Sequence, residues 1–403
     1  MTACCPQEKE NDGTIAPCSC QEMSPGHLKP EFPVAGDTAG SCCGATPRIA
    51  DGDNEQPGYQ LWKFVAGFMS TPAGAVPRVH TRLNREDRQG TLRARLGIGR
   101  DSYRIAPGLY ATGSPDENAP VLVTANYKLT FDILRSHLKD VEAWILVLET
   151  NSINVWCAAG KGTFATLEVA ERVKGVKLEE IVRHRRIILP QLAATGVSAR
   201  QVKKMCGFEV VWGPVHAKDI GAYLDAGLQT TPAMRRVTFS LKERVELIPV
   251  ELNHMGKPSL YLLPALLLLS GIGSEIFSIG AVFSRGLPAV LAYVLAVAAG
   301  AILAPALLPW LPGRAFALKG AAIGVAAGAL LSAGFSGQLV LLEMAALTLF
   351  ITAISSYLAM NFTGSTPYTS PTGVEKEMRM AIPAQAASAL AALILWVGAG
   401  FMG

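Results

Sequence analysis

Trp144-Ile145-Leu146-Val147-Leu148 is followed a few residues later by Asn154-Val155-Trp156-Cys157-Ala158-Ala159-Gly160-Lys161-Gly162-Thr163-Phe164. The first run has the length and apolar, β-branched content of a buried strand. After the second, Phe164, Leu167, Ala170 and Val173 recur at helical spacing with Glu168, Glu171 and Arg172 between them, which predicts an amphipathic helix. A lone cysteine therefore falls at a strand-to-helix junction, where open α/β sheets bind their ligands. Ala158, Ala159, Gly160 and Gly162 would let a large flat ligand approach the backbone closely. The same residues also suit a buried structural cysteine beside a packed Trp156, because free cysteine is among the most buried residue types. Both readings stay open on the residues alone.

Outward from this point, strands and helices alternate. Residues 121–125, 186–189 and 209–212 read as further buried strands. Residues 131–138, 178–185, 199–205 and 217–224 read as helices. That order predicts an α/β, Rossmann-like domain with a mostly parallel sheet and right-handed crossovers. Three other turns lie at predicted C-terminal strand ends and are candidate ligand contacts: Thr124 with Asn126, Ala194-Thr195-Gly196, and Gly213-Pro214. Residues 237–250 read as an edge ribbon closing the domain, and 59–76 as a short docking helix. Eight arginines between Arg78 and Arg104 suggest a solvated basic face, an attraction to anionic lipid, or a contact to a cofactor phosphate. No nucleic-acid module surrounds them, and a net charge of +4 does not argue for that partner.

The chain divides by composition into a Cys-rich tail (1–58), a linker with the basic segment (59–95), the α/β domain (96–255) and an apolar region (258–403). The tail, rich in Pro, Gly and Ser, reads as disordered. Glu8, Lys9 and Glu10 interrupt what would have to be the core of a signal peptide. Of eight cysteines, Cys4, Cys5, Cys18, Cys20, Cys42 and Cys43 lie in the tail and only Cys157 and Cys206 in the domain, which excludes a disulfide framework there. Paired tail thiols are suitable ligands for soft metal ions, although their spacing fits no zinc finger.

From residue 260 the hydropathy changes class. Segments 260–283, 287–311, 315–333, 339–360 and 381–402 are each long enough to cross a bilayer, giving an all-α bundle of five helices. With the α/β domain on the cytoplasmic face of the inner membrane, Lys257, Arg314, Lys319, Lys376 and Arg379 fall inside and only Arg285 outside. The C-terminus is then outside, and the loop 361–380 faces the α/β domain. Glu275 and Glu343 fall within predicted spans, where buried carboxylates serve either assembly or a polar pathway; assembly is favoured.

The string NVWCAAGKGTF (154–164) resembles the cap-helix signature of the mercury-methylating corrinoid proteins, themselves similar to the corrinoid iron-sulfur proteins of the acetyl-CoA pathway. The resemblance continues in VLVTANYKLTFD (121–132), ILPQLAATGV (188–197), VVWGPVHAKDI (210–220), TPAMRRVTFSLKERVELIPVEL (231–252) and NFTGSTPYTSPTGVEKEMRMAIP (361–383), covering residues 95–403. It implies a corrinoid cofactor with Cys157 as lower axial ligand of its cobalt. Asn154, Val155, Trp156, Ala158, Ala159, Gly160 and Lys161 would lie against the ring. It further implies a methyl-folate-dependent donor, a ferredoxin-like iron-sulfur reductant as partner, and Hg(II) as acceptor. A thiolate below cobalt favours departure of the methyl group with its electrons toward an electrophile, whereas a neutral imidazole suits transfer to a nucleophile. Lys161 either lowers the thiol pKa or is simply solvated. The D-x-H-x-x-G string of base-off cobalamin sites is absent, and His216 does not fit it. Two rival readings are a corrinoid methyl carrier for another acceptor and a soft-metal transporter or sensor.

Overall fold

Strands β1 (Val65–Thr71), β2 (Gly74–Val79), β3 (Gly108–Thr112), β4 (Val121–Ala125), β5 (Ala143–Leu148), β6 (Arg186–Pro190) and β7 (Glu209–Gly213) form one sheet in the order β1-β2-β3-β5-β4-β6-β7. The computed structural model describes residues 63–365 and 371–402. β4 to β7 run parallel; β1–β2 and β3–β5 are the antiparallel pairs. β4 and β5 are buried along their whole length, which is why they read as unbroken apolar runs.

Alternation along each strand makes two cores. Val121, Val123, Trp144, Leu146, Ile187 and Leu189 face one side and pack under α3 (Val155–Lys161), α4 (Thr166–Gly175), α5 (Leu178–Ile181) and α6 (Ala199–Cys206). Leu122, Ile145, Val147 and Ile188 face the other side, beneath α2 (Lys128–Ser136) and α7 (Ile220–Asp225). The period-two geometry of the strand assigns each residue to its layer.

The segment before the sheet belongs to it. Where a helix was expected over 59–76, Val65–Thr71 is a strand hairpinned to β2, because Pro72 opens a turn that no helix could continue through. Helix α1 (Arg85–Arg95) follows, with Asn84 and Asp87 capping its first turn reciprocally. Asp87 then reaches into a buried cluster. Lys128 Nζ lies 2.6 Å from both Asp87 and Asp132, and Arg135 Nη2 lies 2.7 and 2.8 Å from the same two carboxylates. Burial raises the Asp87 carboxyl pKa, but bonds from Lys128, the Asn84 backbone and Arg135 outweigh it and leave that pKa low. Asp132 is deeper, and desolvation leaves its pKa above the usual range.

The expected edge ribbon over 237–250 is helical instead: α8 (Leu241–Val245) and then α9 (Ile248–Ser270). Ser240 and Glu243 form a capping box at the start of α8, a helix signal that outweighs the β-branched content.

Among the described residues, four helices are long and apolar enough to cross a membrane: α10 (Ile279–Leu307, with a π-helical stretch at Ala298–Leu303), α11 (Phe316–Gly334), α12 (Leu341–Asn361) and α13 (Thr372–Ala399). The fifth expected span, 260–283, does not form as one helix. α9 stops at Ser270, and a small hairpin, β8 (Ile272–Gly273) with β9 (Ile276–Phe277), turns the chain before α10 begins. Gly271 to Gly273 ends the helix, and Glu275 stands exposed at the hairpin tip rather than inside a span. α9 nevertheless packs beside α10, with the Ser259 and Tyr293 hydroxyls hydrogen-bonded at 2.6 Å.

Gly320, Gly324 and Gly328 form one stripe on α11, against which the backbone of α12 lies so closely that any Cβ would collide with Ser355, Thr352 or Thr348. At the hairpin end, Arg285 joins four segments. Its Nε lies 2.6 Å from Glu343 at the start of α12, and Nη1 donates to Ser270 O and Ile272 O. Nη2 donates to Trp396 O on α13, and the guanidinium stacks 4.8 Å from the Trp396 ring. Glu343 is thus a structural carboxylate. The C-terminal end joins the hairpin here, through Ser274 N–H to Gly400 O. At the opposite end Leu308, Phe316 and Phe362 pack with Phe239 and Ile248 from the α/β side.

Arg285→Leu leaves Glu343 buried and unpaired, and should cost about 3–5 kcal/mol of bundle stability. Unfolding in detergent micelles measures it; a loss below about 1 kcal/mol, the range of an exposed pair, would refute the staple.

Candidate functional site

Strands β4 and β5 are neighbours whose connections leave toward opposite faces. β4 continues through α2 on one side, and β5 through α3 on the other. The crevice between their C-terminal ends is the switch point of the sheet, where a ligand meets backbone from both.

Asn126 occupies that crevice and is fully buried. Its Oδ1 accepts from Thr150 N–H (3.1 Å), the Thr150 hydroxyl (2.9 Å) and Ser152 N–H (3.4 Å), while Nδ2 donates to Glu149 at 2.8 Å. Glu149 also accepts from Asn151 N–H at 2.8 Å, and its own N–H donates to Glu168 on α4. This web holds Asn151 and Ser152 in consecutive left-handed conformations, φ 54° and 61°. Such residues cost on the order of 1–3 kcal/mol each and persist only where surroundings impose them. The Ser152 hydroxyl is buried without a hydrogen-bond partner among the described residues.

The strained turn delivers the chain into α3. Asn154 is its N-cap, accepting from Cys157 N–H at 2.9 Å, and Gly162, left-handed at φ 78°, ends it. The cysteine is therefore within a short helix of its own, and the next helix starts at Thr166; Leu167, expected on the buried stripe, is 54% exposed. Val155, Ala158 and Ala159 anchor α3 to the core, while Trp156 and Cys157 are half-buried. Gly160, Lys161 and Gly162 are exposed, with open space where a Cβ at Gly160 or Gly162 would stand.

The remaining candidate residues occupy different places. Gly196 packs directly on α3: a Cβ there would lie 2.5 Å from Phe164 O and 2.8 Å from Ala159 O. Gly213 is buried at the end of β7, paired with Pro190. Thr124 is buried, and strand alternation puts it on the α2 face, away from α3; Asn126, two residues on, reaches the crevice instead. Cys206 donates from Sγ to Val202 O at 3.2 Å, and burial pushes its thiol pKa up. The tail cysteines Cys4, Cys5, Cys18, Cys20, Cys42 and Cys43 lie outside the described residues.

A cleft of about 140 Å³ opens beside Asn154, between Tyr127, Arg100 and the α8–α9 segment. The larger cleft, about 580 Å³, lies at the opposite strand ends around Pro120, Glu142 and Arg186, remote from Cys157. Among the described residues no three His, Cys, Asp or Glu side chains converge to hold a bare metal ion.

Residues 99–224 match the family model described as CO dehydrogenase/acetyl-CoA synthase delta subunit. Similar curated proteins include the acetyl-CoA decarbonylase/synthase complex subunit gamma of Methanopyrus kandleri, 32% identical over 128 residues, covering 31% of this chain and 27% of that protein. The subunit gamma of Methanothermobacter thermautotrophicus is 35% identical over 128 residues, 31% of this chain and 28% of that protein. The corrinoid/iron-sulfur protein large subunit of Moorella thermoacetica is 31% identical over 127 residues, with the same shares. The chain thus spans under a third of the length of these relatives, and the residues that the family model matches are the α/β segment that contains the switch point and α3.

Proposed function

We propose that this chain is a membrane-bound corrinoid methyltransferase that delivers a methyl group to Hg(II), with Cys157 as lower axial ligand of the cobalt. The observation that carries the reading is the half-buried Cys157 on α3, at the switch point of the segment 99–224 that matches the CO dehydrogenase/acetyl-CoA synthase delta subunit model, in a chain similar over 127 residues to a corrinoid/iron-sulfur protein. The donor set fits the group. One thiolate without companion ligands cannot hold a bare ion, but it suits a cobalt whose four equatorial positions a macrocycle already fills. Space beside Gly160 and Gly162 fits a flat ring edge.

When bound, the corrinoid supplies the cobalt that carries and releases the methyl group. Cys157 would hold the cobalt as a thiolate, since metal binding drives deprotonation of a ligating thiol. Asn154 fixes the orientation of Cys157 by holding its N–H, and Asn126 fixes the turn before it. Val155, Ala158 and Ala159 set the height of the helix; half-buried Trp156 with exposed Gly160 and Lys161 form its margin. Thr124, Gly196 and Gly213, the other candidate cofactor contacts at C-terminal strand ends, would support the ring from behind this surface, Gly196 by its close approach to α3. A ferredoxin-like iron-sulfur protein as reductant and a methyl-folate-dependent donor complete the cycle, and the tail thiols capture Hg(II).

The α/β domain faces the cytoplasm from the inner membrane, supported by Arg314 and Lys319 at the bundle end that packs on it and by the C-terminal end lying at the other. A transporter reading is weakened by Glu343, whose carboxylate is consumed by Arg285.

Cys157→Ala should abolish methylmercury formation while part of the corrinoid absorbance remains, and Cys206→Ala should leave both intact. The reverse pattern would assign the wrong sulfur. Cys157→His should keep cobalt bound but transfer the methyl group poorly. Asn154→Ala should loosen α3 by about 1 kcal/mol and slow transfer about tenfold as an outer support of a ligand. Hydrogen exchange at the Cys157 amide reads the first effect; an unchanged exchange rate would remove Asn154 from this role. If α9 crosses as a fifth helix beside the four long apolar ones, a reporter fused after Gly403 should be active only outside the cytoplasm, and cytoplasmic activity would mean that α9 does not cross.

A further inference from the structure

Arg244 is 3% exposed, and its Nε and Nη1 are enclosed without a hydrogen-bond partner. It sits on α8, packed against the Ala304–Leu307 end of α10, at the junction between the α/β domain and the bundle. A buried guanidinium without an acceptor is strongly destabilising, and the usual remedy is an anion. The carboxylates on its own helix are turned elsewhere. Glu243 caps Ser240 and accepts from Thr238, and Glu246 pairs with Arg95 at 3.1 Å. No carboxylate pairs with Arg244 among the described residues. What covers it is Trp310, whose ring lies 5.7 Å from the guanidinium carbon and which is itself 70% exposed. Trp310 stands on the short loop between α10 and α11, with exposed Arg314 beyond it and Lys319 Nζ donating to Leu308 O at 2.7 Å. An exposed tryptophan beside cationic side chains at the end of apolar helices has the chemistry of the headgroup layer.

We propose that Arg244 binds the phosphate of an anionic phospholipid headgroup, with Trp310 as a swinging cover. Rotation of the indole opens the guanidinium to the headgroup layer, and two parallel N–H donors then meet phosphate oxygens. The bound lipid ties α8, and through it the α/β domain, to the loop joining α10 and α11. The inference rests on the membrane reading of the bundle and is independent of the corrinoid.

The test uses the full-length protein in detergent, with native mass spectrometry counting retained phosphatidylglycerol against phosphatidylcholine. Wild type should retain a phosphatidylglycerol in preference. Arg244→Gln should weaken that retention about tenfold or more, the worth of one charge-assisted bond. Arg314→Gln, the same charge change at an exposed neighbour, should change it less than about threefold. Arg244→Lys serves if Arg244→Gln does not fold, and it should weaken retention as well. No preference for phosphatidylglycerol, or equal losses at Arg244 and Arg314, would overturn the site. Displacement of the lipid by excess inorganic phosphate would overturn the lipid as its source. None of these readouts involves corrinoid absorbance or methylmercury, so the two proposals fail separately.

Discussion

One side-chain amide holds the candidate site in place. Asn126 sits where β4 ends, and its carboxamide gathers the backbone that leaves β5. Asn151 and Ser152 would relax from their left-handed conformations if these bonds were lost, since each bond contributes about 0.5–1.5 kcal/mol against a comparable strain. The direction in which α3 starts, and therefore where the Cys157 thiol points, follows from that turn. The strain is local, but it is held by two adjacent strands of a fully buried sheet.

The same logic of imposed placement extends to the junction with the bundle. Tyr127 and Asn154 from the site share a cleft with Glu243, Glu246 and Val250 from the segment that leads into α9. The Arg95–Glu246 pair and the Phe239, Ile248 and Phe362 cluster tie that segment to both neighbours. The C-terminal edge of the sheet is thus next to the bundle end. At the far end, Arg285 makes an ion pair and three carbonyl contacts, a satisfied arrangement that explains how a guanidinium is tolerated among apolar helices.

Several misreadings share one cause. The apolar count over 260–283 was sufficient for a span, yet hydropathy does not register the Gly271–Gly273 turn or the hairpin that uses it. Residues 237–250 have strand-like composition, but a capping box fixed a helix start, and that signal was visible in Ser240 and Glu243. Thr124 lies at a strand end as read, and the packing of Leu122 with the α2 layer is what puts Thr124, two residues on, on that face.

The mostly parallel core, the position of a lone cysteine after β5 and the apolar character of the last third were all legible from the residues, because burial and periodicity are written in consecutive positions. Folding in three dimensions was needed to show that Asn126 holds the turn after β5, that Gly196 is small to let α3 approach, and that Glu343 answers Arg285. Each of those depends on atoms brought together from distant parts of the chain, and pairings of that kind leave no period or spacing to read.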